Sequence, residues 1–192
     1  MTFPSENQIK DTKEYILDTA RKLFSDFSYL EVSMEDIAKK LNITKPAIYY
    51  HFKNKTEIYL KVLERVFNDL HSIILEASKE KTLKKRLFKL IKKYLEFGSK
   101  EKNLVKILMI NLSIFDKKIV DLIFQLRKKT IDLVQSLIES KITKKKLKEK
   151  LDTKTLASLL VAMLDGTILE YSFFNKKIDS EKIASQIIAV LF

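Results

Sequence analysis

Lys45, Tyr49, Tyr50 and His51 fall within seven residues, interleaved with Pro46 and Ala47 and preceded by Thr44. An ammonium, two phenol hydroxyls and an imidazole can reach phosphate oxygens, while the methyl groups of Thr44 and Ala47 can touch a thymine methyl. That is chemistry for holding a nucleic acid rather than for transforming a substrate. The competing reading treats Tyr49-Tyr50-His51-Phe52 as an aromatic core stripe, and Phe52 fits it. Tyr49 and Tyr50 do not both fit, because adjacent residues on a helix point about 100° apart and cannot share one buried face. His51 is not expected to ligate a metal. The only other histidine is the distant His71, and no carboxylate cluster accompanies either.

These side chains need a rigid support, and the surrounding residues supply one. Ser33 precedes Met34, with Asp36 three residues on, an approximate capping box that starts a helix. Met34, Ile37, Ala38 and Leu41 line its inner face. Leu41-Asn42-Ile43 makes the turn, where Asn tolerates a left-handed backbone. Thr44 caps the next helix, and Pro46 in its first turn sacrifices no helical hydrogen bond. Ala38, Asn42, Ile43 and Ile48 thus read as small residue, turn, anchor and anchor, with Leu41 and Phe52 completing a small core. This is a helix-turn-helix, whose second helix enters the DNA major groove. Ile16, Ala20, Leu23, Phe24 and Phe27 place a preceding helix over about Lys10 to Phe27. Asn54 and Glu57 start a fourth helix. The helix N-termini at Ser33 and Lys55 direct amides and a cation toward backbone phosphate.

The rest of the chain reads as helices too. Only two glycines and two prolines punctuate 192 residues, far fewer than sheets require, so the fold class is all-α. The periodicity predicts helices over 55–78, 82–98, 102–115, 117–140, 153–174 and 180–191, about nine in all, with Asp152 or Thr153 and Asp179 as caps. The absence of cysteine excludes disulfides and thiolate chemistry. The start, MTFPSENQIK, lacks a signal-peptide pattern, and the apolar run Val105–Phe115 is too short to span a bilayer. A cytoplasmic protein is expected. The net charge of +12 says little about DNA, because residues 1–60 hold nine basic and nine acidic side chains and all the excess lies beyond. The lysine clusters Lys79–Lys93 and Lys141–Lys150 read as solvated faces and a linker. No metal-ligand spacing, phosphate loop or nucleophile elbow is present, so neither an enzyme nor a cofactor is expected.

The stretch Ile16–Tyr59 closely resembles the TetR family of transcriptional regulators. Its first part carries I-L-D-x-A-x-x-L-F, its middle S-M-E-D-I-A-K-K-L, and its end K-P-A-I-Y-Y-H-F-K-N-K. The resemblance implies a three-helix DNA-binding domain over residues 1–54 and a helical ligand-binding and dimerisation domain over 55–192. It also implies a repressor that binds a palindromic operator as a homodimer until a small-molecule effector releases it. Carried over residue by residue, the family's DNA contacts fall on Ser33, Thr44, Lys45, Pro46, Ala47, Tyr49, Tyr50, His51 and Lys55. The chain departs from the family pattern at Ser28 and Asn42, both positions where Gly is usual or common, and at Pro46, often Gly. A cavity is implied in the body, and Tyr94, Phe97, Met109, Asn111, Phe115, Phe124, Met163 and Tyr171 are its candidate lining. Few charges lie in those stretches, so an apolar effector is expected rather than a phosphorylated one.

Dimerisation is expected through two C-terminal faces. One carries Leu156, Leu159, Leu160, Met163, Leu164 and Thr167; the other carries Ile183, Ile187, Val190 and Leu191. Gly166 weakens its helix and suggests that a neighbouring backbone comes close. The alternative function is a helical protein-interaction or lipid-carrier module whose helix-turn-helix no longer reads DNA. Salt separates the two: operator binding by a DNA reader weakens steeply with rising ionic strength, and Tyr50→Ala and Lys55→Ala each reduce it.

Overall fold

A computed structural model describes residues 6–101, 104, 115–142 and 152–192. Among these, eight α-helices and no strand are found. They are α1 (Glu6–Asp26), α2 (Met34–Leu41), α3 (Lys45–His51), α4 (Lys55–Ala77), α5 (Leu83–Lys100), α6 (Lys117–Glu139), α7 (Thr153–Phe173) and α8 (Ser180–Leu191). The all-α expectation holds, and the helix bounds agree with it to within a few residues. The helix expected over 102–115 lies outside the described residues except for Leu104 and Phe115, as does most of the Lys141–Lys150 connection.

Side chains start the helices, as expected at Asp152 and Asp179 and also at two caps the sequence reading did not name. Thr82, Asp116, Asp152 and Asp179 each accept a hydrogen bond from the backbone N–H three residues on, satisfying one of the free amides of the first turn.

The chain divides into two compact units, residues 1–65 and 66–192. The expected division after residue 54 gives all of α4 to the body, whereas this division falls within α4. The reason is packing. Ile58, Tyr59, Val62 and Leu63 are fully buried in the first unit, and the Tyr59 ring meets Phe24 of α1 edge-on at 4.9 Å. Leu70, Ile74 and Ala77, later in the same helix, belong to the core of the second unit. That core also holds Leu90, Ile91 and Leu95 of α5, Val134 and Leu137 of α6, Ala157, Val161 and Leu164 of α7, and Ala184 and Ile188 of α8.

α7 is long and apolar enough to cross a membrane by length and composition alone. Here its inner face packs into the core instead, and Leu164 lies on that face, fully buried. This corrects its expected place on an outward face. Gly166 also differs from expectation, since nothing within the chain comes within 4 Å of where its Cβ would be. The close approach is at Gly98 of α5.

Among the described residues, three that are not glycine have positive φ: Ser28 (77°), Asn42 (54°) and Asn175 (47°). Two of them are the positions where the chain departs from Gly. Asn42 carries the conformation with little strain, and serine carries it less well. Ser28→Gly should relieve about 1–2 kcal/mol of strain while adding about 0.5–1 kcal/mol of unfolded-chain entropy. A modest rise in the urea midpoint is therefore expected. Ser28→Val should lower it, and equal midpoints for the two variants would contradict the assignment.

Candidate nucleic-acid interface and internal cavity

The helix-turn-helix is built by local hydrogen bonds that leave little freedom. Ser33 N–H donates to Asp36 Oδ2 at 2.8 Å, and the Asp36 amide donates to Ser33 Oγ at 3.1 Å, a complete capping box. The Ser33 hydroxyl also donates to Asp36 Oδ2 at 2.6 Å. These bonds from Ser33 hold the Asp36 carboxyl below the usual carboxylate range. At the other end of α2, Ile43 N–H reaches Ala38 O at 3.1 Å and Asn42 N–H reaches Lys39 O at 3.2 Å. With Asn42 left-handed, this is a Schellman motif, and it turns the chain into α3. Thr44 is the N-cap residue of α3 but makes no side-chain cap bond. Pro46 sits in the first turn.

Burial then decides which face of α3 looks outward. Ile48 is 0% exposed and Phe52 is 1% exposed, whereas Tyr49 is 47% and Tyr50 67% exposed. Thr44, Lys45 and Pro46 are exposed as well, while Ala47 and His51 are half-buried. Lys45 Nζ stands 4.0 Å from Glu35 Oε2, both on the surface. The His51 ring abuts Tyr50 edge-on at 5.1 Å. Burial, with the Lys13 charge, pushes the His51 pKa down, so the ring is neutral near pH 7. It therefore offers a hydrogen bond rather than a cation.

Lys55 is placed differently from a free surface lysine. Its Nζ donates to the Tyr29 carbonyl at 2.7 Å and lies 4.4 Å from the Tyr29 ring centroid. The Tyr29 hydroxyl in turn meets Thr56 Oγ1 at 2.9 Å. Partial burial lowers the Lys55 pKa, against the pull of Asp36. Lys55 thus ties the start of α4 to the α1–α2 connection. Asn54 Oδ1 accepts from Glu57 N–H at 2.9 Å, and Glu57 Oε2 accepts from Lys53 N–H at 2.8 Å. This second capping interaction completes the rim.

The second unit holds a partly open cavity of about 250 Å³. Its wall is apolar, with Val66, Leu70, Phe97, Leu104, Ile123, Phe124 and Ile168 among its members. Of the candidates from sequence, Tyr94, Phe97 and Phe124 stand on this wall. Phe115, Met163 and Tyr171 do not, and Met163 is exposed. Met109 and Asn111 lie outside the described residues.

Sequence reasoning missed the polar pole of this cavity. Asp165 is buried on α7, forms an ion pair with Arg127 of α6, and accepts a 2.7 Å hydrogen bond from the Tyr94 hydroxyl of α5. Burial, followed by the Asp165 charge, raises the Tyr94 pKa far above its usual value, so the phenol keeps its proton. The pole is charge-balanced. An acid in the middle of the most apolar of the described helices was the available signal, since such a group must find a cation. By contrast, the lysine face of α5 is largely matched by acids. Lys89 pairs with Glu76 and Glu80, Lys92 with Glu181, and Lys93 with Glu96.

Residues 16–62 match the family described as bacterial regulatory proteins, tetR family, and residues 59–192 match the C-terminal region of YsiA-like proteins. The chain belongs to the TetR family of bacterial regulatory proteins. As a TetR-family member it is a DNA-binding transcriptional regulator. It is 46% identical over 56 residues to the biofilm operon icaADBC HTH-type negative transcriptional regulator IcaR of Staphylococcus epidermidis. That match spans 29% of this chain and only 30% of the relative's length. The IcaR of Staphylococcus aureus strain Newman is 41% identical over 63 residues, spanning 33% of this chain and 34% of that one. Among solved structures, FadR of Bacillus subtilis in complex with stearoyl-CoA superposes with a TM-score of 0.78 at 20% identity. That alignment covers 93% of this chain and 96% of FadR. A TerR/AcrR-family transcriptional regulator of Aquifex aeolicus gives 0.72 at 24% identity, covering 94% and 97%. At these identities the likeness establishes the TetR-type fold.

One buried group in this regulator has a pH signature. His71 of α4 is 3% exposed, and its Nε2 lies 3.0 Å from Thr130 Oγ1. Thr130 Oγ1 donates to Leu126 O at 3.0 Å, so the His71 proton sits on Nε2, and Nδ1 has no hydrogen-bond donor among the described residues. Burial, with the Lys129 charge, lowers the His71 pKa. The unfolded chain takes up a proton below about pH 6.5 where the folded chain resists it. Stability is thus complete above that pH and is lost as pH falls toward the folded pKa, by at most about 1.4 kcal/mol per pH unit. His71→Gln keeps an N–H for Thr130 but does not titrate. It should flatten the fall of the urea midpoint between about pH 7.5 and about pH 5.5; an unchanged slope would contradict the assignment.

Proposed function

We propose that the protein is a cytoplasmic repressor that binds a palindromic operator as a homodimer and is released by a small apolar effector. The single observation that carries the DNA half is the orientation of α3. Its apolar anchors are inside, and Lys45, Tyr49 and Tyr50 are outside together. On this reading Thr44, Pro46 and Ala47 touch base edges, His51, Ser33 and Lys55 approach phosphate, and two heads engage successive major grooves about 34–36 Å apart or a multiple of it.

The effector half rests on the cavity. A site that buries apolar wall and a neutral pole favours an uncharged apolar body over a phosphorylated one. A cavity of about 150 Å³ takes a benzene ring, so this one has room for a body of about ten non-hydrogen atoms. The ligand of the Bacillus subtilis FadR complex, stearoyl-CoA, joins a long apolar chain to a phosphorylated head, so it parallels this reading in its acyl chain alone. An effector that favours one of two conformations shifts the population between operator-bound and released dimers. That preference must amount to a few kcal/mol.

Dimerisation rests on the outer faces of α7 and α8. Leu156, Leu159, Met163 and Phe173 form an exposed stripe on α7, with Gly166 open among them. Val190, Leu191 and Phe192 are exposed at the end of α8. An apolar stripe of this kind is what a self-complementary two-fold interface buries. Leu160, Thr167, Ile183 and Ile187 are half-buried at its edges.

Two measurements test this reading. Sequencing genomic fragments retained by the purified protein should return a common inverted repeat, and fragments without a shared sequence would overturn the operator assignment. Sedimentation should give a dimer that Leu159→Glu converts to monomer; a monomeric parent protein would overturn the dimer assignment.

A further inference from the structure

Gly98 lies in the last turn of α5, and its backbone does not have positive φ, so no left-handed cap conformation calls for a glycine there. Its reason lies in packing. A Cβ built on Gly98 would stand 2.0 Å from Ile168 Cδ1, 2.5 Å from Cγ1 and 3.2 Å from Cγ2. The Ile168 side chain of α7 therefore occupies the space that any other residue at 98 would fill. Gly98 and Ile168 both stand on the wall of the cavity, and Ile168 is 1% exposed.

We propose that Gly98 and Ile168 together set the length of the effector that the cavity accepts. This rests on the reading of the cavity as the effector site. The missing Cβ is a notch in α5 that lets Ile168 lie flat against the helix instead of projecting into the open volume. A methyl group at 98 meets Cγ1 and Cγ2 of Ile168 as well as its tip, so the whole branched side chain must move. Leu95 and Leu164 beside the pair are fully buried, so the room available to the displaced side chain is the cavity itself. The notch thus gives depth for a ligand.

The test uses the full-length protein and straight-chain 1-alkanols of graded length, uncharged probes suited to an apolar wall with a charge-balanced pole, titrated by calorimetry. The parent protein is expected to bind the series up to a cutoff length. Gly98→Ala should shorten that cutoff, losing about tenfold or more in affinity for the longest alkanol bound, because one methylene too many in an apolar pocket costs that much. Ile168→Ala should lengthen the cutoff. In the Ile168→Ala background, adding Gly98→Ala should change nothing, since the side chain it displaces is gone. This last comparison remains decisive if the single Gly98→Ala variant folds poorly. If the parent binds alkanols but Gly98→Ala keeps its cutoff, or the two substitutions act additively, the length-setting role is overturned. If the parent binds none of them while still binding DNA, the reading of the cavity as an apolar effector site falls instead.

Discussion

Burial of Ile48 and Phe52 is the constraint on which the rest depends. A helix of seven residues has no stability of its own, and α3 holds its orientation only because these two side chains are locked into the core of the first unit. Once they are in, the 100° spacing of a helix leaves Tyr49 and Tyr50 no place but the surface. The capping box at Ser33 and Asp36 and the Schellman motif at Asn42 then set the direction from which α3 leaves α2. The tie from Lys55 to Tyr29 does the same for the start of α4. The outward residues of α3 are thereby left free of the packing that holds the helix in place.

The second unit solves a different problem. It keeps open an apolar volume that close packing would otherwise fill, and it places a buried acid at the edge of that volume. Asp165 is tolerable there because Arg127 supplies the opposite charge and Tyr94 supplies a proton to its second oxygen. Removing Arg127 leaves the Asp165 charge buried and uncompensated, a cost of about 3–5 kcal/mol, and the cluster ties α5, α6 and α7 together. The helix α4 contributes to both cores, with Tyr59 in one and Ile74 in the other.

Much of this was legible in the sequence, and the reasons are local. Helix bounds could be read because caps and apolar periodicity are short-range signals, as at Asp152 and Asp179. The outward face of α3 followed from spacing alone. The left-handed turn at Asn42 was signalled by residue type; that at Ser28 emerged where a glycine was missing. What could not be read depends on which helices meet. Leu164 and Met163 are adjacent and equally apolar, yet one is buried and the other exposed, and only the packing of α7 against α5 and α6 decides between them. The significance of Gly98 depends on a side chain seventy residues away. Of the two glycines, Gly166 drew attention from sequence, and Gly98 is the one that a neighbour crowds.

The central claim is that the outward side of α3 enters the major groove, and methylation interference tests it most directly. Dimethyl sulfate places a methyl group on guanine N7, an atom presented only in that groove. In duplexes recovered by the protein from genomic DNA, N7 methylation within each half of the inverted repeat should exclude those molecules from the bound fraction, with unaffected guanines outside the half-sites. Equal recovery of methylated and unmethylated half-sites would contradict the account.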